Sequence, residues 1–326
     1  VQKAGKIIHF VIGLLFVSCG IYAAYIGFTG QPIPFVQPYI DKVFSQQRAD
    51  TPAAPKPKDE KKQHIYAYSF DELAAISKRI AAASSDEEAR AIAKDYHLLN
   101  EDGSLTNEGI NLNLQDGRVM QAQLVGIRHD EKADGAGKAG LTFVTTDAKD
   151  LHAMNDTNDT AGGWEKSAMR AWVNKEQFEL LPADLQKHIV AVKKSTNNSG
   201  DARDASQVTT TDDKLWLLSS AEVCGTLDWF SHEYGKKLGH LDQVINAEGT
   251  QYERYRAAGV SAYSDPHQTL IKSYQRQDVA WWYRSPFAFV YKNLKQRYFY
   301  NALPTGYPYA YSVPSEKHGV VVGFCI

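Results

Sequence analysis

The chain has 326 residues, 43% hydrophobic and 23% charged, enough to bury one sizeable core or two small ones. Its 36 Lys and Arg against 38 Asp and Glu leave a formal charge of −2, which excludes a broadly basic nucleic-acid binder, because phosphate contacts need a cationic excess. With 23 Gly, 12 Pro and 11% aromatic residues it is neither collagen-like nor wholly disordered, and three cysteines are too few for a disulfide scaffold.

From Ile7 to Phe28 run 22 residues without Asp, Glu, Lys or Arg. As a helix they would span about 33 Å, close to the hydrocarbon thickness of a bilayer. Lys3 and Lys6 precede the run and no charge follows until Asp41. The positive flank predicts a single-pass membrane protein with a cytoplasmic N-terminus and an extracytoplasmic bulk. Phe16-Val17-Ser18-Cys19 also loosely fits a lipobox, although the residues after Cys19 stay apolar, and lipidation of that cysteine stays open. Residues 1–30 thus read as tip and anchor. Residues 31–63, rich in Pro and Lys, cannot bury enough surface to fold and read as a disordered stalk.

The folded part opens with two predicted helices in residues 64–108. Ser69 with Glu72, and Ser85 with Glu88, are capping boxes, each followed by apolar residues at helical spacing, so a small helical hairpin is expected. From residue 109 the period changes to two. GINLNLQ alternates, Asp116-Gly117 supplies a turn, and RVMQAQLVGI returns as a strand. LTFVTT (141–146) and KLWLLS (214–219) read as further strands, with helices around 166–174, from Pro182, and near 248–258. Strands and helices mix without regular alternation, which predicts an α+β domain over 109–326.

Several motifs tempt and fail. Gly135, Gly137 and Gly140 match a dinucleotide fingerprint, but a polar run precedes them and a strand follows, so no nucleotide is expected. His129-Asp130 resembles paired metal ligands but closes a strand, where a loop hydrogen bond is the expected role. Asp156, Asn158, Asp159 and Thr160 resemble the start of a calcium loop whose glycine and closing Glu are missing. No cofactor is predicted, with calcium held by distant loops left open. Cys224 and Cys325 form a candidate disulfide, suited to an oxidising compartment.

GGWEKSAMRAWVN (162–174), LPADLQKHIVAVKKST, DKLWLLSSAEVCG (213–225), EGTQYERY (248–255), WWYRSP (281–286) and GVVVGFCI (319–326) form an ordered series. Together they resemble a widespread bacterial domain of unknown function, the family numbered 6273, often found on exported proteins. That family implies no catalytic residue. Trp281, Trp282, Arg284 and the closing strand are also similar to the end of C-type-lectin-like and formylglycine-generating-enzyme-like domains, implying a C-type-lectin-like fold. The chain lacks the paired active-site cysteines of such oxidases and the calcium signatures of sugar-binding lectins.

Trp164, Trp172, Trp216, Trp281, Trp282 and Arg284 read as structural residues, the arginine pairing with a buried carboxylate or stacking on a ring. Between Thr226 and Tyr263, and again near Tyr307, Tyr309 and Tyr311, aromatics sit in polar, loop-like sequence. Trp229, Tyr234, Tyr252, Tyr255 and Tyr309 are the candidate ligand-binding residues, since such rings suit sugar faces or peptides. The expected function is a membrane-anchored, non-catalytic binding module at the bacterial cell surface, for a glycan or a protein partner. The alternatives are an envelope enzyme using Asp228, His232, His240 and Asp242 as acid–base groups, and a structural component of the envelope.

Overall fold

The computed structural model of the protein describes residues 61–287 and 297–326. The predicted anchor and residues 31–60 of the predicted stalk lie outside the described residues. Among the described residues no helix is long and apolar enough to cross a membrane. This corrects the expected architecture of a spanning helix, stalk and separate ectodomain: what stands is an α+β unit from Lys61 to Ile326. Its helices are short and amphipathic. The first, α1 (Phe70–Ala81), buries Leu73, Ile76 and Ile80 while Asp71, Glu72, Lys78 and Arg79 flank its ends. Such a helix covers a core from one side. Lys61 and Lys62, at the end of the predicted stalk, are bonded to the fold, Lys61 Nζ to Asp95 at 2.9 Å and the Lys62 amide to Tyr68 Oη at 2.7 Å.

The Ser69 capping box forms in full, whereas at Ser85 only the cap half forms, because the Glu88 carboxylate accepts from the amide and hydroxyl of Ser84 instead. Ser69 accepts from the Glu72 amide to start α1, and Ser85 accepts from the Glu88 amide to start α2 (Asp86–Asp95). The hairpin β1 (Gly109–Asn113) and β2 (Val119–Ile127) turns at Gly117, φ +83°, with Asn113 opposite Val119. Then follow β3 (Leu141–Thr145), β4 (Leu151–Ala153) and α3 (Ala168–Trp172), which continues as a π turn over Val173–Gln177. A ribbon of β5 (Val192–Thr196) and β6 (Thr209–Asp213) leads to β7 (Trp216–Leu217). Four short helices come next: α4 (Ser220–Cys224), α5 (Trp229–Tyr234), α6 (Gly239–Asn246) and α7 (Glu253–Ala257). The rest is β8 (Lys272–Tyr274), β9 (Gln277–Val279), β10 (Trp281–Pro286), β11 (Phe299–Ala302), β12 (Ala310–Ser312), β13 (Lys317–Gly319) and β14 (Val322–Cys325).

Among the described residues there are two five-stranded sheets, ordered β1-β2-β3-β14-β7 and β12-β11-β10-β13-β4. The first is antiparallel throughout; in the second, β10 and β13 run parallel. Two cores flank the central strands. Alternation sends Leu124, Phe143 and Trp282 into the core shared with α1 and α2, and Val125, Val144, Trp281 and Tyr283 into the other. The helical pair is therefore continuous with the sheet. Burying Leu73, Ile76 and Ile80 alone contributes about 5–9 kcal/mol of apolar transfer.

The glycine run 135–140 is the loop between β2 and β3. Gly135 and Gly137 take φ of +75° and +82°, and a Cβ on Gly140 would lie 2.0 Å from the Ser77 carbonyl oxygen of α1. These glycines serve a tight turn and a close backbone approach. A second departure from expectation lies at 226–246, read as loop-like but folded into α5 and α6. Each is too short to show a helical period, and Gly235 breaks the sequence between them.

Candidate functional site

The alternation that builds β5 also buries a charge. Val192, Lys194 and Thr196 share the inward face, so the Lys194 ammonium enters the core at 1% exposure. Arg128, φ +48°, turns the chain after β2 and delivers Asp130 to meet it. Lys194 Nζ donates to the Asp130 carboxylate, to Glu222 Oε1 at 2.9 Å and to Tyr252 Oη at 2.8 Å, and lies 4.0 Å from the Trp216 ring centroid. Asp130 also accepts from Thr142 Oγ1 at 2.6 Å and from Tyr252 Oη at 3.0 and 3.2 Å.

Glu222 is the third residue of α4, where its carboxylate accepts from the Ser219 amide at 2.9 Å. It also faces Arg284 of β10, whose two terminal nitrogens both donate to it. The guanidinium further donates to Thr196 Oγ1 at 2.9 Å and to the carbonyls of Leu217, Ser195 and Glu248 at 2.9, 3.1 and 2.9 Å. Two cations thus balance two carboxylates. Burial opposes the ionisation of Asp130, but Lys194 outweighs it and, with His129 and Thr142, holds the carboxyl at about 2. Glu222 is also lowered: burial opposes its charge, and Arg284 and Lys194 prevail.

Glu248 lies beside this network, and among the described residues no cation is bonded to its carboxylate. It accepts from the Asn197 amide at 2.8 Å and from Ser285 Oγ, yet burial pushes it up to about 7. Above the network opens a cleft of about 370 Å³, bordered by His129, Asn246, Gly249, Thr250, Gln251 and Arg256. The His129 ring packs 4.2 Å from that of Tyr252, and burial lowers its pKa. Gly249 brings the cleft onto Glu222, for a Cβ there would lie 3.0 Å from Glu222 Cγ. Much of the lining is already engaged: Asn246 exchanges two hydrogen bonds with Leu227, and Gln251 Nε2 donates to the Val223 and Val260 carbonyls.

The candidate ligand-binding residues divide. Trp229, Tyr234 and Tyr309 meet, with ring centroids of Tyr234 and Tyr309 at 5.6 and 5.9 Å from Trp229. Tyr234 is 45% exposed and Tyr311, which joins the same cluster through Phe287, is 44% exposed. Tyr252 and Tyr255 are buried instead, one in the ionic network and the other in the second core. Of the structural residues, Trp164, Trp216, Trp281, Trp282 and Arg284 are fully buried, while Trp172 is half-buried and stacks on His152 at 4.3 Å.

The four acid–base candidates hold local roles. Asp242 accepts from the amides of Phe230 and Ser231 at 2.9 and 2.8 Å and from Ser231 Oγ at 2.7 Å, and Asp228 accepts from Tyr263 Oη at 3.0 Å. His232 and His240 are exposed. The candidate disulfide is corrected. Cys224 and Cys325 are free thiols in different cores, the first donating to the Pro308 carbonyl and the second placed between Thr142 and Asp130. Of the calcium-like run, Asp159 accepts from Ala161 and Asn158 from Ser315; among the described residues no three His, Cys, Asp or Glu are grouped to hold a metal ion.

Sequence reasoning missed Lys194, Glu222 and Glu248 and assigned Asp130 only a loop bond. Two signals were present: a lysine on the inward side of an alternating strand, and Ser219 three residues before Glu222.

No curated protein and no solved structure matches the chain, which leaves the expected C-type-lectin-like architecture without a structural counterpart. The model of the family described as "Domain of unknown function (DUF6273)" matches residues 139–304, just over half the chain. The sheets extend beyond that stretch, since β1, β2, β13 and β14 flank it. The chain belongs to this DUF6273 family of domains of unknown function.

Proposed function

We propose that the protein is a non-catalytic binding module that recognises a glycan through the aromatic face around Trp229. The reading rests on one observation: Trp229, Tyr234 and Tyr309 are in ring contact, and their cluster comes to the surface at Tyr234 and Tyr311. Exposed rings offer flat apolar area to the C–H face of a sugar at little rotamer cost. Asp228, His232 and Glu233 lie beside them and supply the hydrogen-bonding edge that sugar hydroxyls need. Lys194 and Arg284, by contrast, are engaged by partners within the core.

An array of glycans and cell-wall fragments, probed with the full chain with calcium and with chelator, tests this. Binding should weaken by about threefold to tenfold in Tyr234→Ala, the equivalent of one aromatic contact. A silent array, with binding instead to a protein in cross-linking, would replace the glycan by a protein partner.

A further inference from the structure

The geometry points to an intramolecular amide between Lys194 Nζ and Asp130 Cγ, formed within the folded chain with Glu222 as the proton carrier. Three observations carry it, and none depends on the glycan reading. First, amine and carboxylate are already in contact, brought together across 64 residues from β5 and from the turn after β2. Both sit where a substrate from outside cannot reach them, so the chemistry open to them is with each other. Reacting groups held in place need no further encounter.

Second, the surroundings are dry and aromatic, with the Trp216 ring 4.0 Å and the Tyr252 ring 5.4 Å from Nζ. A proton passing from ammonium to carboxylate leaves a neutral amine and a neutral acid without changing the net charge. Third, the auxiliary groups are present. Glu222 Oε1 stands 2.9 Å from the amine, and the hydroxyls of Thr142 and Tyr252 already donate to the Asp130 oxygens. They are placed to stabilise a tetrahedral oxyanion. The other titratable groups facing the pair are His129 and the Cys325 thiol beside Asp130 and Arg284 behind Glu222.

The step balances without an oxidant or a co-reactant. One ammonium proton moves to an Asp130 oxygen, and the freed lone pair attacks Cγ to form the C–N bond. Glu222 takes a second proton from the nitrogen and delivers it to the hydroxyl on Cγ. The C–O bond breaks, one water leaves, and Glu222 is restored. The product removes one positive and one negative charge from the core. Arg284 and Glu222 remain as a balanced pair.

The test needs no variant. The full chain is denatured, digested and mapped by mass spectrometry. The expected result is one species joining the Asp130 and Lys194 peptides, lighter by one water than their sum, with Lys194 resistant to trypsin and to acetylation. Separate Asp130 and Lys194 peptides of unaltered mass would overturn the proposal, and so would a water loss mapped to other residues. Glu222→Gln, analysed the same way in the folded fraction, should return the two peptides unlinked. Full linkage in that variant would overturn the role of Glu222.

Discussion

Replacing Arg284 by Met keeps most of the side-chain bulk and removes five N–H donors from the centre of the fold. Those donors serve Glu222, Thr196 and three backbone carbonyls, all buried except the half-buried Ser195 carbonyl. Removing one partner of a buried ion pair costs about 3–5 kcal/mol, because the other is left charged and dry. The stranded carbonyls add to this, so a loss of about 5 kcal/mol is expected, a large part of the roughly 5–15 kcal/mol that holds a domain together. At a urea dependence of about 3 kcal/mol per molar, the unfolding midpoint should fall by about 1.7 M. Trp164, Trp216, Trp281 and Trp282 are fully buried and report the transition by fluorescence. The double variant Arg284→Met with Glu222→Met removes one charge of each sign and should recover about 2–3 kcal/mol relative to additivity, the loss of the Glu222 helix cap being common to the Glu222 single and double variants and cancelling. A single-variant midpoint within about 0.3 M of the parent, about 1 kcal/mol on the same scale, would refute the reasoning, as would a double variant that is simply additive.

Glu248 gives the fold a pH dependence of definite sign. Its folded pKa is about 7 against a reference of 4.5, so the folded state holds the proton more tightly, and this contribution to stability is lost as pH rises from about 4.5 to about 7, at up to about 1.4 kcal/mol per pH unit. His129, lowered by burial, acts in the opposite sense below 6.5, so the measurement is the difference between the parent and Glu248→Gln in urea melts at pH 5 and pH 8. The variant should gain on the parent at pH 8; equal differences at both pH values would refute the assignment. Gly140→Ala should cost at least about 2 kcal/mol, a fall of about 4–8 °C in melting temperature, because the new methyl meets the backbone of α1 at 2.0 Å. Added ATP or NAD should leave the melting of the parent chain unchanged; a rise would revive the nucleotide reading.

What the sequence disclosed is local, and what it withheld is not. The capping box at Ser69, the cap at Ser85 and the turn at Gly117 each act within a few residues, so their physics is complete in a short window. The order β3-β14-β7 joins segments that lie far apart in the sequence, Cys325 against Thr142 and Val322 against Leu217, and no periodicity encodes which strand lies beside which. The same limit governs the site. Trp229 and Tyr234 are five residues apart on one helix, but Tyr309 reaches them only because α5 packs against the second core. Tyr252 and Tyr255, as aromatic and as polar in their setting, are buried by the fold, because α7 lies against β2.

The ionic network carries this furthest. Asp130, Lys194, Glu222 and Arg284 come from four separate segments, and of these only Arg284 reads from the sequence as a buried charge. A buried lysine without its carboxylate, or a buried arginine without Glu222, would oppose folding by several kcal/mol. The four are compatible with the core only as a set whose charges cancel, and Asp130 lies outside the stretch that the family model matches. A fragment cut at residue 139 would retain Lys194 and lose its partner, along with two strands of the first sheet. The folding unit is therefore larger than the matched region, and the network ties the extra strands to it.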